Sequence, residues 1–254
     1  MAHDGRALQR GVRLRTGAAR ALGRARLATL AAASERPAVV LGALLGANAA
    51  AAALFASAGV AAGDPALFFR EGMPGTWLSF AQLALVAVVA WMVHEYEHPE
   101  GAWHRNFWGL SAAVFGVLAV DEILGTSQWA GTWLNQAAGV APAGAFRDVG
   151  AVLLTLLLAA AVLVLAPRAL ALLRHPLAAV LVALGAVVGA GSQALDSFVA
   201  PTAGEFVAEE SLKLAAEAFI LAGFVAALRS ARARSRPTAP PGGAGAPRDA
   251  RAAS

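Results

Sequence analysis

The sequence predicts an all-α fold, a polytopic membrane bundle of six transmembrane helices with both termini cytoplasmic. Three observations lead there: six long apolar stretches, a one-sided distribution of basic residues, and tryptophans at the stretch ends. The stretches run roughly Ala38–Ala62, Trp77–Val93, Phe107–Leu124, Val149–Ala166, Leu177–Val199 and Glu209–Leu228. A hydrocarbon core ~30 Å thick is crossed by about 20 helical residues rising 1.5 Å each. Composition agrees: 58% of residues are hydrophobic, 14% are charged and mean hydropathy is +0.61, against about 25% charged in soluble domains.

Orientation follows from the loops. The segment before Ala38, the loop with Arg105, the loop with Arg168 and Arg174, and the tail after Leu228 carry 17 of the 20 basic residues. The opposite loops hold only Arg70 and Arg147. Basic loops stay in the cytoplasm, and an even number of spans then puts both termini there. Trp77, Trp129 and Trp133 fall near outer ends and Trp91, Trp103 and Trp108 near inner ends, as an aromatic belt requires. The corresponding location is the bacterial inner membrane.

Residues 1–37 read as a basic cytoplasmic arm. Arg6, Arg10, Arg13, Arg20 and Arg24 are interleaved with Leu and Ala, a pattern suited to an amphipathic helix on anionic inner-leaflet lipids and equally to a disordered arm. Residues 38–229 form the transmembrane domain. Residues 230–254, rich in Pro, Gly, Ala and Arg without apolar periodicity, read as a disordered tail. Ala56-Ser57-Ala58 resembles a signal-peptidase site, and cleavage there would leave five spans in the same orientation. The expected surroundings are the lipid bilayer; nucleic acid is not expected, because the basic segments lack interleaved aromatics. The absence of Cys excludes disulfides, thiolate metal sites and cysteine nucleophiles. Gly42/Gly46 and Gly185/Gly189 are small-residue pairs suited to close packing of the first and fifth helices.

Charges inside the spans are the strongest functional pointer. Asp121 and Glu122 close the third stretch, Asp196 comes late in the fifth, and Glu209, Glu210, Lys213 and Glu217 occupy the first half of the sixth. The topology places them all in the outer half of the membrane. At 100° per residue, positions 209, 210, 213 and 217 share one helix face, and 209–213 and 213–217 have the i,i+4 spacing of ion pairs. Gln82, Gln193 and Asn48 are further polar candidates at this depth. Each buried charge costs about 2.5–3.5 kcal/mol on insertion scales, so such residues turn inward and pair. Clustered carboxylates suit hard cations, and crowded like charges cannot all stay ionised, which suits proton exchange. The expectation is a cation or proton site in transport or sensing, with Glu217 as the deepest acid; a purely structural ion network in a membrane scaffold is the other reading.

A second constellation lies between the second and third stretches. His94-Glu95-Tyr96-Glu97-His98-Pro99-Glu100-Gly101-Ala102-Trp103-His104 reads H-E-x-x-H-x-x-G-x-x-H, which resembles the zinc signature of the metzincin proteases. The resemblance implies zinc or another divalent cation on His94, His98 and His104, with Glu95 as general base of a metal-dependent membrane hydrolase. The chain departs from that family in having no Met after His104 for a Met-turn and Pro99 directly after the second His.

Two further segments, Leu118-Ala119-Val120-Asp121-Glu122 and Glu209-Glu210-Ser211-Leu212-Lys213-Leu214, resemble a loose group of uncharacterised bacterial multi-pass proteins. Those proteins often carry a His-Glu pair shortly after the Asp-Glu pair, where this chain has Thr126-Ser127-Gln128. The resemblance implies no activity.

Overall fold

A computed structural model describes residues 36–70, 72–97, 102–138, 156, 159–198 and 202–235. These residues are helical, with no strand among them. Five of the helical segments are apolar and long enough to cross a bilayer: Ala38–Ala61, Leu67–Tyr96, Asn106–Leu124, Pro176–Leu195 and Ala203–Arg234. The expected fourth stretch lies mostly outside the described residues, although residues 159–165 within it are helical.

Helix α1 (Pro37–Ala61) starts with Pro at its first position, where the missing N–H costs nothing. A tight turn and a short 3-10 segment (Leu67–Phe69) lead to α2 (Pro74–Tyr96), which also starts on Pro. The turn is pinned by an Arg70–Asp64 ion pair at 2.5 Å and by Thr76 Oγ1 donating to the Arg70 carbonyl at 3.0 Å. Helix α3 (Ala102–Leu124) ends at Gly125, whose φ of 56° is the left-handed C-terminal conformation that glycine adopts without strain. A 13-residue helix α4 (Thr126–Ala138), too short to span, follows at that end and exposes Trp129 and Trp133.

The chain next packs at the opposite end, as a 3-10 segment over Ala166–Arg174 that buries Ala171 and Leu172 beside Phe107 and Trp108. Two long helices complete the bundle, α5 (Pro176–Phe198) and α6 (Ala203–Arg234). Helix α6 starts six residues before the sequence-derived boundary and runs through Arg234, past the expected domain limit at 229. Its start is a capping box: Thr202 Oγ1 accepts from the Glu205 N–H at 3.1 Å and Glu205 Oε2 accepts from the Thr202 N–H at 3.3 Å.

Helix α6 is the axis of the bundle, packed on α5, α2 and α1, and α2 packs in turn on α3. Its segment 221–228 is buried on every side. The α5–α6 approach depends on glycine at Gly185 and Gly223. A Cβ on Gly185 would stand 2.9 Å from the Ala216 carbonyl oxygen, and one on Gly223 3.1 Å from that of Ala178. Gly189 also faces Ala216, whereas nothing lies within 4 Å of Gly42 or Gly46, so the small-residue reading holds for α5 and not for α1. The core, Val86, Val89, Val93, Phe107, Trp108, Leu221, Phe224 and Leu228 among others, fills the half of the bundle near the Glu97 end. Helix α1 leaves Val39, Leu54 and Val60 exposed, a surface suited to lipid rather than water.

Candidate functional site: two polar layers in one bundle

One layer is built on the first half of α6. Lys213 Nζ donates to Glu122 Oε1 at 2.7 Å and lies 3.4 Å from Glu210 Oε2. One turn beyond Lys213, the buried Glu217 accepts at Oε1 from Ser79 Oγ at 2.6 Å. Its Oε2 is buried and has no hydrogen-bond partner among the described residues. Beside it, Asn48 Nδ2 donates to the Leu214 carbonyl at 2.7 Å, and Gln82 Nε2 donates to Asn48 Oδ1 at 3.0 Å. Helices α1, α2, α3 and α6 thus each contribute polar groups to one layer.

The sequence placed most of these residues at one depth, but the pairing differs. Lys213 is paired with Glu210, one turn away, and with Glu122, 91 positions earlier, while Glu217, four residues on, also acts on its charge. Lys213 reaches across the helix interface to Glu122 because a neighbouring helix offers a carboxylate in the bundle interior. Asp121 accepts from the Thr126 hydroxyl at the α3–α4 corner. The Glu209 carbonyl accepts from Ser192 of α5 at 3.0 Å. Gln193 is half-buried on the same helix, and the side chain of Asp196 lies outside the described residues.

A second layer at the other end of the bundle was not legible as a site. Glu97, expected to sit in a solvated turn, is almost wholly buried. Its Oε2 accepts from Trp108 Nε1 at 3.0 Å; its Oε1 accepts from Arg234 Nη2 at 2.8 Å and lies 2.9 Å from His175 Nε2. Arg234 also donates to Ser230 Oγ at 2.9 Å. The ring of Trp108 meets those of His175 and Phe224 edge-on at 5.6 and 5.2 Å. One carboxylate therefore ties together the ends of α2 and α6 and the starts of α3 and α5. Burial by itself would raise the Glu97 carboxyl, but the hydrogen bond and charge of His175, the Arg234 guanidinium and the Trp108 N–H hold it below its ordinary value.

This layer alters two sequence-level readings. Trp108 is a buried anchor, fully enclosed, and does not join the interfacial belt; Trp77, Trp91, Trp129 and Trp133 are exposed as belt residues should be. Arg234 belongs to the folded bundle and not to a loose tail. The signal that could have located the layer is the placing of Glu97, His175 and Arg234 at the ends of apolar stretches, since charges there need partners.

The histidine-rich segment is only partly described. His94 is buried, stacked on Trp91 at 5.0 Å and pressed against Gly109, where a Cβ would stand 3.0 Å from Nδ1. Glu95, the expected general base, is the next residue of α2 and is exposed. His98 and Gly101 lie outside the described residues, as does the side chain of His104. Among the described residues no three His, Asp or Glu side chains converge as a metal-binding group. Comparison of the chain with protein-family models, with curated proteins and with solved structures returned no match.

Proposed function

We propose that the chain is a six-span protein of the bacterial inner membrane, with both termini cytoplasmic, whose outer polar layer binds a proton or a small cation in transport or sensing. The observation that carries this reading is Glu217. Its carboxyl is buried, one oxygen is bonded to Ser79 and the other has no partner among the described residues. In the same layer the ammonium of Lys213 is already shared by Glu122 and Glu210. Three carboxyls against one ammonium is an unbalanced charge set in a medium where unbalanced charge is costly. A proton or a cation on Glu217 restores the balance, and the Asn48 and Gln82 amides supply neutral oxygens of the kind hard cations accept.

The test is thermal stability of wild type and Glu217→Gln in lipid nanodiscs from pH 5 to 8, with and without sodium, potassium, magnesium or calcium. Wild type is expected to respond to pH or to one cation, by about 2.7 kcal/mol for a cation at 100 times its Kd, and Glu217→Gln is expected to lose that response. A wild type indifferent to all conditions would end the ion-site reading and leave the charges structural.

Topology has its own check. Reporter domains fused at Asp64, Gly139 or Gly204 are expected to be active outside the cytoplasm, and a fusion at the chain end only inside it. A cytoplasmic signal at Gly139 would reverse the face that bears the carboxylates.

A further inference from the structure

At the Glu97 end of the bundle, a cleft of about 240 Å³ opens between the first turn of α5 and the last turns of α6. Its walls are largely apolar, formed by Pro176, Leu177, Ala178, Ala226 and Ala233, and its polar groups are Arg229, Ser230 and, at the Glu97 side, His175. Of the alanines, Ala178 and Ala226 are buried at the floor and Ala233 is exposed. Arg229 is exposed and has no ion-pair partner among the described residues, unlike Arg234, which Glu97 holds. Leu177 and Ala233 are exposed at the mouth, so the apolar walls continue onto the outer surface of the bundle.

An unpaired guanidinium above an apolar slot matches an amphiphile with a phosphate head. An apolar slot alone would take any acyl chain, and a guanidinium alone any anion; their junction at a helix end selects a molecule carrying both. The start of α5 adds the positive end of a helix dipole. We propose that the cleft is a site for one anionic phospholipid, its phosphate on Arg229 and the Ser230 hydroxyl and its chain leaving past Leu177 and Ala233. This is a discrete site between helices, separate from the diffuse attraction of basic termini for a charged leaflet.

The experiment uses the full chain in neutral detergent, with phosphatidylglycerol, phosphatidylcholine of the same chains, or inorganic phosphate added. Native mass spectrometry counts retained lipid, and thermal melts give apparent affinity. Phosphatidylglycerol is expected to bind saturably at one per chain. Arg229→Gln should weaken it about fivefold, the loss of one phosphate-facing arginine. Ala233→Leu keeps every charge and places a good helix former at an exposed position, and it should abolish retention by filling the slot. Arg168→Gln, at a basic residue outside the cleft, should leave binding unchanged. Equal binding of phosphatidylcholine, an equal stabilisation by inorganic phosphate alone, or undiminished retention in Ala233→Leu would each overturn the site. Equal losses in Arg168→Gln and Arg229→Gln would do so too, because they would signal general charge attraction.

Discussion

Lys213→Met is expected to destabilise the bundle by about 3–5 kcal/mol, while Glu217→Gln leaves stability unchanged or raises it. The asymmetry follows from how one cation is shared. Lys213 is the ammonium for Glu122 and Glu210, and its side chain is only 29% exposed; without it, both carboxylates and Glu217 face one another in a poorly solvated layer. Removing one partner of a buried ionic set costs that much because it strands the others. Glu217 is differently placed. Glutamine keeps an oxygen to accept from Ser79, and the Lys213 pairs remain intact, so the change removes a charge without stranding one. Thermal or denaturant unfolding of both variants in nanodiscs measures the contrast. Losses of similar size in the two would show Glu217 to be a structural partner of Lys213, and a Lys213→Met loss under about 1 kcal/mol would show the layer to be wet enough to need no pairing. Adding Glu210→Gln to Lys213→Met should recover part of the loss, since neighbouring members of one network are not additive.

Glu97→Ala is expected to cost about 3–5 kcal/mol, the second large effect. It leaves the enclosed indole N–H of Trp108 and the buried ring of His175 without their acceptor and opens a void where four elements meet. Arg234→Gln should cost much less, about 1 kcal/mol, because the guanidinium is a third exposed and the carboxylate keeps its other two partners. If the two variants are equally damaging, the interaction of Arg234 and not the Trp108 and His175 anchor dominates the layer. The pH dependence carries a definite sign. The folded-state value for Glu97 is below the ordinary 4.5, so its stabilisation is fully present above that value and is lost as pH falls through the lowered one. The protonation of the Glu97 carboxyl therefore acts mainly below the pH 5 to 8 window in which Glu217→Gln is compared with wild type.

Much of the architecture is a local property and could be read without any fold. A run of about 20 apolar residues between polar flanks is a span whatever it packs against, and α1, α2, α3 and α5 fall where the runs do, because the bilayer and not a neighbouring helix imposes the length. The crowding of Glu209, Glu210, Lys213 and Glu217 on one face of α6 is equally local, a matter of 100° steps. The start of α6 was also within reach, since Thr202 and Glu205 spell a capping box, but it sits outside the apolar run and hydropathy does not register it.

Pair choice is what only the tertiary structure decided. Lys213 finds Glu122 across 91 positions, Glu217 finds Ser79 across 138, and Glu97 finds His175 and Arg234 across 78 and 137. Nothing near any of these residues in the chain marks its partner, because a charge at a helix end or in a span needs a counter-group but does not specify which. The selection is made by α6 running through the middle of the bundle, with glycines at 185 and 223 letting α5 close against it. That axis carries one carboxylate layer in its first half and an arginine at its last turn, and the neighbouring helices bring Ser79 and Glu122 to the first and Glu97, Trp108 and His175 to the second.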